Sequence, residues 1–334
     1  MTMLGRLRCA PLALARGCAL LLPLCAALTM ADVQAQSWPA KPIRLVLPFP
    51  PGAPSDLVGR LVGQRIGEQL GVAVVPDNRV GAGGTLALGI VAKAPADGYT
   101  ILITSPTIAL SPHLYTKLPF DPLKDFMPIA RLANIENVML VNPRVPVKTL
   151  KEFIALARAR PGQLNFGSGG GGTTNHLANE LLRFLEKIDI VHVPYKGATQ
   201  ATMAAVSGEV DQVIVSVASV LPLILEKKVR PIVVLSESRV ATLPDVPTSR
   251  EAGFPKLLMS IWYGLYAPAG TPQEIAARLG KEAIRALESP ELRSRGAALG
   301  IDPWPGTAEQ LDQLTRSEMA RYGVIVKSAG IKPE

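Results

Sequence analysis

The densest cluster of residues able to do chemistry is Ser168-Gly169-Gly170-Gly171-Gly172-Thr173-Thr174. Consecutive glycines let main chain approach a bound molecule closely, and the two threonines add hydroxyls. Where such a run opens a helix, unpaired N–H groups and the positive end of the helix dipole suit an anion. The same residues also suit a flexible turn closed by a threonine cap. No lysine precedes the threonines, which sets the run apart from nucleotide phosphate loops. A second cradle is Pro51-Gly52-Ala53-Pro54-Ser55-Asp56, directly after Phe49. Ser55 is placed to cap a helix. Asp56 either complements the helix dipole, accepts from a ligand hydroxyl or ammonium, or braces its own loop. Gly81 to Gly84 suits close helix packing at least as well as binding.

Other chemistry has fewer supports. The three histidines are His113, His176 and His192, and none has a second ligand at metal spacing. The sequence therefore implies no metal and no cofactor. His176, just after the glycine run, is either a donor to ligand or a packed first-turn residue, and His192, inside an apolar stretch, reads as structural. Ser168 raises the possibility of a serine hydrolase. The nucleophile elbow would need glycine at 166, where Phe166 stands, so catalysis is not expected.

The elements that would carry these loops alternate. Ile43 to Phe49 reads as a strand, and Leu57, Val58, Leu61, Val62, Ile66 and Leu70 mark a helix stripe that Gly71 stops. Val72 to Val75 and Tyr99 to Thr104 are further strands, with a helix from the GAGG run to Lys93 between them. Leu164 to Gly167, Asp189 to Val193, Asp211 to Val215 and Arg230 to Leu235 continue the pattern, with helices over Thr149 to Ala159, Asn175 to Lys187 and Gln200 to Val206. Strands alternating with helices predict an α/β fold of mainly parallel sheets flanked by helices. Met127 to Val141 is long, extended and without a helix, as a crossover between domains would be. Trp262 to Ala267 reads as the returning strand, and Leu311 to Val326 as a last long helix. In open parallel sheets ligands bind beyond the carboxyl ends of strands, which here carry Gly52, Ser105, Ser168 and Ser216. Charge-assisted hydrogen bonds contribute about 1.5–3 kcal/mol each, so three or four suffice for micromolar binding.

The first 35 residues read as a cleavable leader. Arg6, Arg8 and Arg16 precede an uncharged apolar run, Cys18 to Met30, and Val33-Gln34-Ala35 offers small residues at the cut. The run is short for a membrane span and contains Pro23. All three cysteines, Cys9, Cys18 and Cys25, fall inside it, so the exported part has neither disulfide nor thiol nucleophile. Roughly 300 residues remain, enough for two ordinary domains. The net charge of the full chain is +8, spread without runs, which favours small anions over nucleic acid.

Several stretches together resemble the Bug-type solute-binding proteins of tripartite tricarboxylate transporters. They are WPAKPIRLVLPFPPGAPSD, DNRVGAGG with AKAPADGYT, LPFDPLKDFMPIA, VHVPYKGATQA, LPDVPTSREAG and APAGTP. The likeness runs in order over nearly all of the chain beyond the leader. It implies a two-lobed, type II-like periplasmic binding protein, monomeric, that closes on a small organic carboxylate and delivers it to membrane permease subunits. Expected boundaries are 1–35 for the leader, 36–137 with 261–334 for one lobe and 138–260 for the other, with hinges near Asn137 and Ser260.

The resemblance also nominates a site. Phe49, Gly52, Ala53, Ser55 and Asp56 belong to the first loop, with Ser105 and Thr107 at the next strand end. Ser168, Gly169, Gly170, Thr173, Thr174 and His176 form the second loop, and Ser216 a further strand end. Tyr195 either lines the cleft or braces the following loop. Two departures stand out. Gly52-Ala53 replaces the family's two glycines, followed by Pro54, which has no N–H. Gly171 stands where the family often has asparagine. A ligand sensor docking on a receptor would need the same cleft. Trp262 is placed either to stack on a ligand ring or to fill the core.

Overall fold

The computed structural model describes residues 38–171 and 173–333, so the expected leader (1–35) and Gly172 lie outside the described residues. Lys41 onward forms one compact unit. Its first strand, β1 (Ile43–Leu47), buries Ile43, Leu45, Val46 and Leu47 completely. Burial on both faces is what a central parallel strand requires. Helix α1 (Pro54–Leu70) starts on a proline at its first turn and ends at Gly71, whose φ of 72° closes it. Gly59, Gly63 and Gly67 line the side of α1 that meets the sheet. A Cβ at Gly59 would lie 2.6 Å from Leu47 Cδ2, and one at Gly67 2.8 Å from the Val72 carbonyl oxygen. These glycines let helix and sheet approach more closely than any side chain would permit.

The next strand, β2 (Val74–Asn78), runs further than its apolar residues indicate, through Pro76. It pairs only with β1 at the sheet edge, where a missing N–H costs no ladder bond. Then come α2 (Thr85–Ala92), β3 (Thr100–Thr104), α3 (Thr107–Leu114) and β4 (Phe126–Val141). The second half of the alternation is α4 (Leu150–Ala159), β5 (Asn165–Ser168), α5 (Thr174–Glu186), β6 (Val191–Pro194), α6 (Ala198–Ser207), β7 (Gln212–Ser216), α7 (Val217–Leu225) and β8 (Arg230–Val234). The chain returns through β9 (Ser260–Pro268), α8 (Gln273–Glu288), α9 (Pro290–Ala298), β10 (Asp302–Gly306) and α10 (Ala308–Ser328).

The expected parallel ladders are present: β1 with β2 and β3, and β5 with β6 and β7. Antiparallel ladders complete each sheet. Strand β9 runs against β3 and β4, while β7, β8 and β10 all run against β4. The reason is topological: β4 leaves the first sheet for the second and β9 comes back beside it. At about 3.3 Å per residue the 16 residues of β4 span roughly 50 Å. Its residues up to Glu136 pair with β9, and those from Asn137 onward pair with β7.

Period-2 alternation places the second sheet between two layers. Met139, Val141, Phe166 and Ile214 join the larger core with Leu177, Leu311 and Tyr322. Val138, Leu140, Val213 and Val215 join a smaller one with Ala201, Val217 and Val220. Helix α10 begins with a capping box between Thr307 and Gln310 and packs on α3, β4 and α5. Helices α3, α7 and α9 and strand β10 were not legible in the apolar pattern. In β10 (DPWPG) two prolines hide the strand, which pairs with β4 alone. Among the described residues no helix is long and apolar enough to cross a membrane.

Candidate functional site

The first loop is held from within. Asp56 is 2% exposed. Its carboxylate accepts the Gly52 N–H (2.9 Å), Asn78 Nδ2 (3.0 Å) and Arg60 Nε (2.9 Å to the nearer oxygen). Burial works to raise its pKa; the hydrogen bonds from Arg60, Gly52 and Asn78 and the Arg60 charge outweigh it and hold the carboxyl below its usual range. Asn78 also donates to the Phe49 carbonyl at 2.7 Å, tying the loop to the end of β2. Asp56 thus braces its loop. The Ala53 N–H is likewise used locally, donating to the Pro50 carbonyl. The helix cap differs from expectation. Ala53 occupies the N-cap position without a side-chain hydrogen bond, and Ser55 lies one residue inside α1 with its hydroxyl buried and unpartnered. Pro54 at the first helical position moves the cap upstream of the serine.

Two other segments reach this loop. Gly84 packs so closely that a Cβ there would lie 3.1 Å from Pro48 Cβ, 3.3 Å from Thr107 Cγ2 and 3.4 Å from Phe49 Cζ. Gly81, Ala82, Gly83 and Gly84 all have positive φ, from 46° to 153°, forming a short 3₁₀ turn ahead of α2. That is why the run is glycine-rich. Ser105, at the end of β3, lies with its Oγ 3.2 Å from Thr107 Oγ1. Phe49, Gly84, Ser105 and Thr107 are therefore one cluster. In sequence the GAGG run suits packing at least as well as binding; its adjacency to Phe49 and Thr107 depends on folded distances.

The second loop surrounds Ser168, which is fully buried at the end of β5. Ser168 Oγ accepts the Gly170 N–H at 3.1 Å and lies 2.6 Å from His192 Nε2. Thr173 caps α5, accepting the His176 N–H, and donates its own hydroxyl to the Gly170 carbonyl at 2.8 Å. Thr174 is the first residue of α5. A Cβ on Gly169 would lie 3.0 Å from the Ala198 nitrogen, so the glycine run rests on the start of α6. His176 is buried, with Nε2 3.5 Å from Glu180 Oε1, and packs within the first turn of α5. Arg183 holds Glu180 at 2.8 Å. Burial raises the Glu180 pKa, and hydrogen bonds and charges from His176 and Arg183 more than reverse that.

His192 packs inside the structure, as its apolar surroundings in sequence predict, and it also reaches Ser168. It pairs with Phe166 across β5 and β6, and its ring stacks on Phe166 (4.9 Å) and on His176 (4.1 Å). Burial lowers its pKa to about 4, with His176 and Arg183 acting the same way and Glu180 opposing. Strand register brought it to Ser168, and no local motif announces that register. Tyr195 contributes main chain to this loop: its N–H donates to the Ser168 carbonyl at 2.9 Å. Its hydroxyl donates to Glu209 at 2.8 Å, and burial and that carboxylate push it up to about 12. The tyrosine side chain is thus a brace. Ser216 occupies the N-cap position of α7 without a side-chain cap bond, donating its hydroxyl to Ser219 Oγ at 3.0 Å, and its Cα partner across the sheet is Asn137.

That pairing marks where β4 changes neighbours. Asn137 is fully buried and its amide donates to the Met259 carbonyl at 2.9 Å, beside the start of β9. The preceding residue, Glu136, accepts from Asn134, and its second oxygen is buried without a partner. Burial pushes its carboxyl up to about 7 against that hydrogen bond, with the charge of Asp302 adding to the rise. Trp262 is 1% exposed and belongs to the main core. Among the described residues no group of three or more acidic, histidine or cysteine side chains is placed to hold a metal.

The site as a whole is one of loops at the strand ends of an α/β fold. The family model described as "Tripartite tricarboxylate transporter family receptor" matches residues 58–331. Protein BugT of Bordetella pertussis is 33% identical over 304 residues, covering 90% of this chain and 93% of BugT. A solved structure of R. palustris Rpa4515 with adipate is 34% identical with a TM-score of 0.80, covering 89% of this chain and 100% of that one. MatC (Rpa3494) from Rhodopseudomonas palustris with bound malate is 35% identical with a TM-score of 0.74, covering 86% and 100%. The chain belongs to the tripartite tricarboxylate transporter receptor family. It is a Bug-type solute-binding protein and not an enzyme. The contact between Ser168 and His192 resembles a catalytic pair, but the serine is fully buried and the histidine is a weak base.

Proposed function

We propose that this protein is exported to the periplasm, captures a small organic carboxylate between its lobes and hands it to membrane permease subunits. The observation that carries the reading is its similarity, over nearly the whole of each chain, to proteins solved with adipate and with malate. The site is the first-loop cluster of Phe49, Gly52, Ala53, Ser55, Ser105 and Thr107 together with the second loop from Ser168 to Thr174. Helix N-termini at α1, α3, α5 and α7 supply positive potential to both. Closure is a rotation of residues 36–137 with 261–334 against residues 138–260. The exchange of β4 partners between Glu136 and Asn137, and the start of β9 at Ser260, support hinges there. The absence of one first-loop glycine and of the usual asparagine in the second loop points to a ligand set of its own.

Thermal unfolding of the exported form with a panel of mono- and dicarboxylates, malate and adipate included, tests the reading. A carboxylate at 100 times its Kd stabilises by about 2.7 kcal/mol, a shift of several degrees. Neutral amides of the same acids should give none. Shifts from neutral compounds alone would refute carboxylate capture.

A further inference from the structure

A loop that holds ligand by main-chain N–H groups is selective only if its dihedral angles are fixed. The glycine run has no side chains with which to fix itself, and Gly170 sits at a φ of 113°. Its restraint comes from Ser168 Oγ, which accepts the Gly170 N–H at 3.1 Å. A hydroxyl has one proton to donate. Among the described residues two acceptors are within reach: the Gly170 carbonyl at 3.2 Å and His192 Nε2 at 2.6 Å. That carbonyl already accepts from Thr173 Oγ1 at 2.8 Å and from the Thr173 N–H at 3.4 Å, which occupy its two lone pairs. The proton therefore goes to the histidine.

We propose that His192 is a positioning residue for the ligand loop: neutral, with its proton on Nδ1, it accepts a hydrogen bond from the Ser168 hydroxyl at Nε2 and so orients Ser168 to hold the Gly170 amide. This inference rests on the assignment of the Ser168 to Thr174 loop to ligand. The groups acting on His192 keep it neutral. His176 stacks on it at 4.1 Å and disfavours a positive charge on His192. Arg183 acts in the same direction, and Glu180, the opposing group, is engaged by Arg183 and His176. A protonated His192 would turn Nε2 into a donor, force the Ser168 proton onto the occupied Gly170 carbonyl and release the loop.

The test uses the exported protein with adipate and malate as probes. In the wild type, nitrogen-15 NMR of the histidine side chains at pH 7 is expected to show His192 with Nδ1 protonated and Nε2 bare. His192→Phe keeps the stack but removes the acceptor, and should weaken the bound acid about tenfold, the effect of one hydrogen bond. His192→Gln, which restores an acceptor, should recover part of that loss. Ser168→Ala should match His192→Phe, and the double variant should be no weaker than either, because both remove one link. Protonation of the acid itself weakens binding in both proteins as pH falls, so the expected signature of His192 is the ratio of wild-type to His192→Phe affinity, constant from pH 8 to about 5 and shrinking near pH 4. A proton on Nε2, additive losses, or unchanged affinity in His192→Phe would overturn the proposal. If neither acid binds the wild type, carboxylate capture is in question, and the tautomer alone decides the role of His192. The tautomer also decides it if the variants fail to fold.

Discussion

Asp56→Ala removes the carboxylate around which the first loop is built. Three groups donate to it: the Gly52 N–H, Asn78 Nδ2 and Arg60 Nε. The Arg60 side chain is half exposed and regains water when its partner goes. The Gly52 and Asn78 donors lose an internal acceptor, at about 1–3 kcal/mol each. Gly52 is itself exposed, so its share lies at the low end, and the total is about 2–3 kcal/mol. At about 2–4 °C per kcal/mol for chains of this size, Tm should fall by roughly 4–12 °C. Ligand affinity should fall too, because Asn78 positions the Phe49 carbonyl through the same network. Asp56→Asn, which keeps one acceptor oxygen, should lie between wild type and Asp56→Ala. The sign with pH is fixed by the lowered pKa of Asp56. Its contribution is present above the unfolded pKa and is lost as pH falls through the folded one. The gap between wild type and Asp56→Ala should therefore be flat from pH 8 to 5 and close only in stronger acid. Calorimetric unfolding at several pH values, with titration calorimetry for the acid, reads both effects. A Tm within 1 °C of wild type together with unaltered affinity would show that the carboxylate does not brace the loop.

Two further outcomes follow from other residues. Glu136→Gln should stabilise the protein at pH 8 and have little effect at pH 4. An unfolded glutamate loses its proton near 4.5 and the folded one at about 7, so raising the pH between these values favours unfolding, by up to about 3 kcal/mol; denaturant unfolding at the two pH values reads the difference, and equal effects would contradict a buried, protonated carboxyl. Gly84→Val places a branched side chain at a φ of 98° against Pro48, Thr107 and Phe49, which should destabilise by about 2–4 kcal/mol and weaken acid binding; an unchanged unfolding midpoint would mean that the three segments are not packed as described.

Much of this architecture is legible along the chain because it depends on neighbours in sequence. Strand β1 is apolar on both faces, α1 carries its stripe and its Gly71 stop, and β4 shows an uninterrupted extended run. The glycine run is visible for the same reason, and its threonine cap lies three residues from the N–H it accepts. Other features are hidden for equally physical causes. The strand pattern in Pro303 and Pro305 is masked by residues that cannot donate to a ladder. Ser55 has the right chemistry for a cap, yet Pro54 sets the helix start two residues too early for it. The positive φ values of Gly81 to Gly84 become necessary only when Pro48, Phe49 and Thr107 are brought against them.

Sequence alone, then, determined the α/β alternation, the crossing strand, the two polar loops and the family resemblance, since each is written in local periodicity or in residues a few positions apart. Tertiary structure decided what holds those loops. Asp56 turned inward to Gly52 and Asn78, and His192 met Ser168 because register set Phe166 opposite His192. Register is chosen by the burial of whole strands, which no single motif encodes.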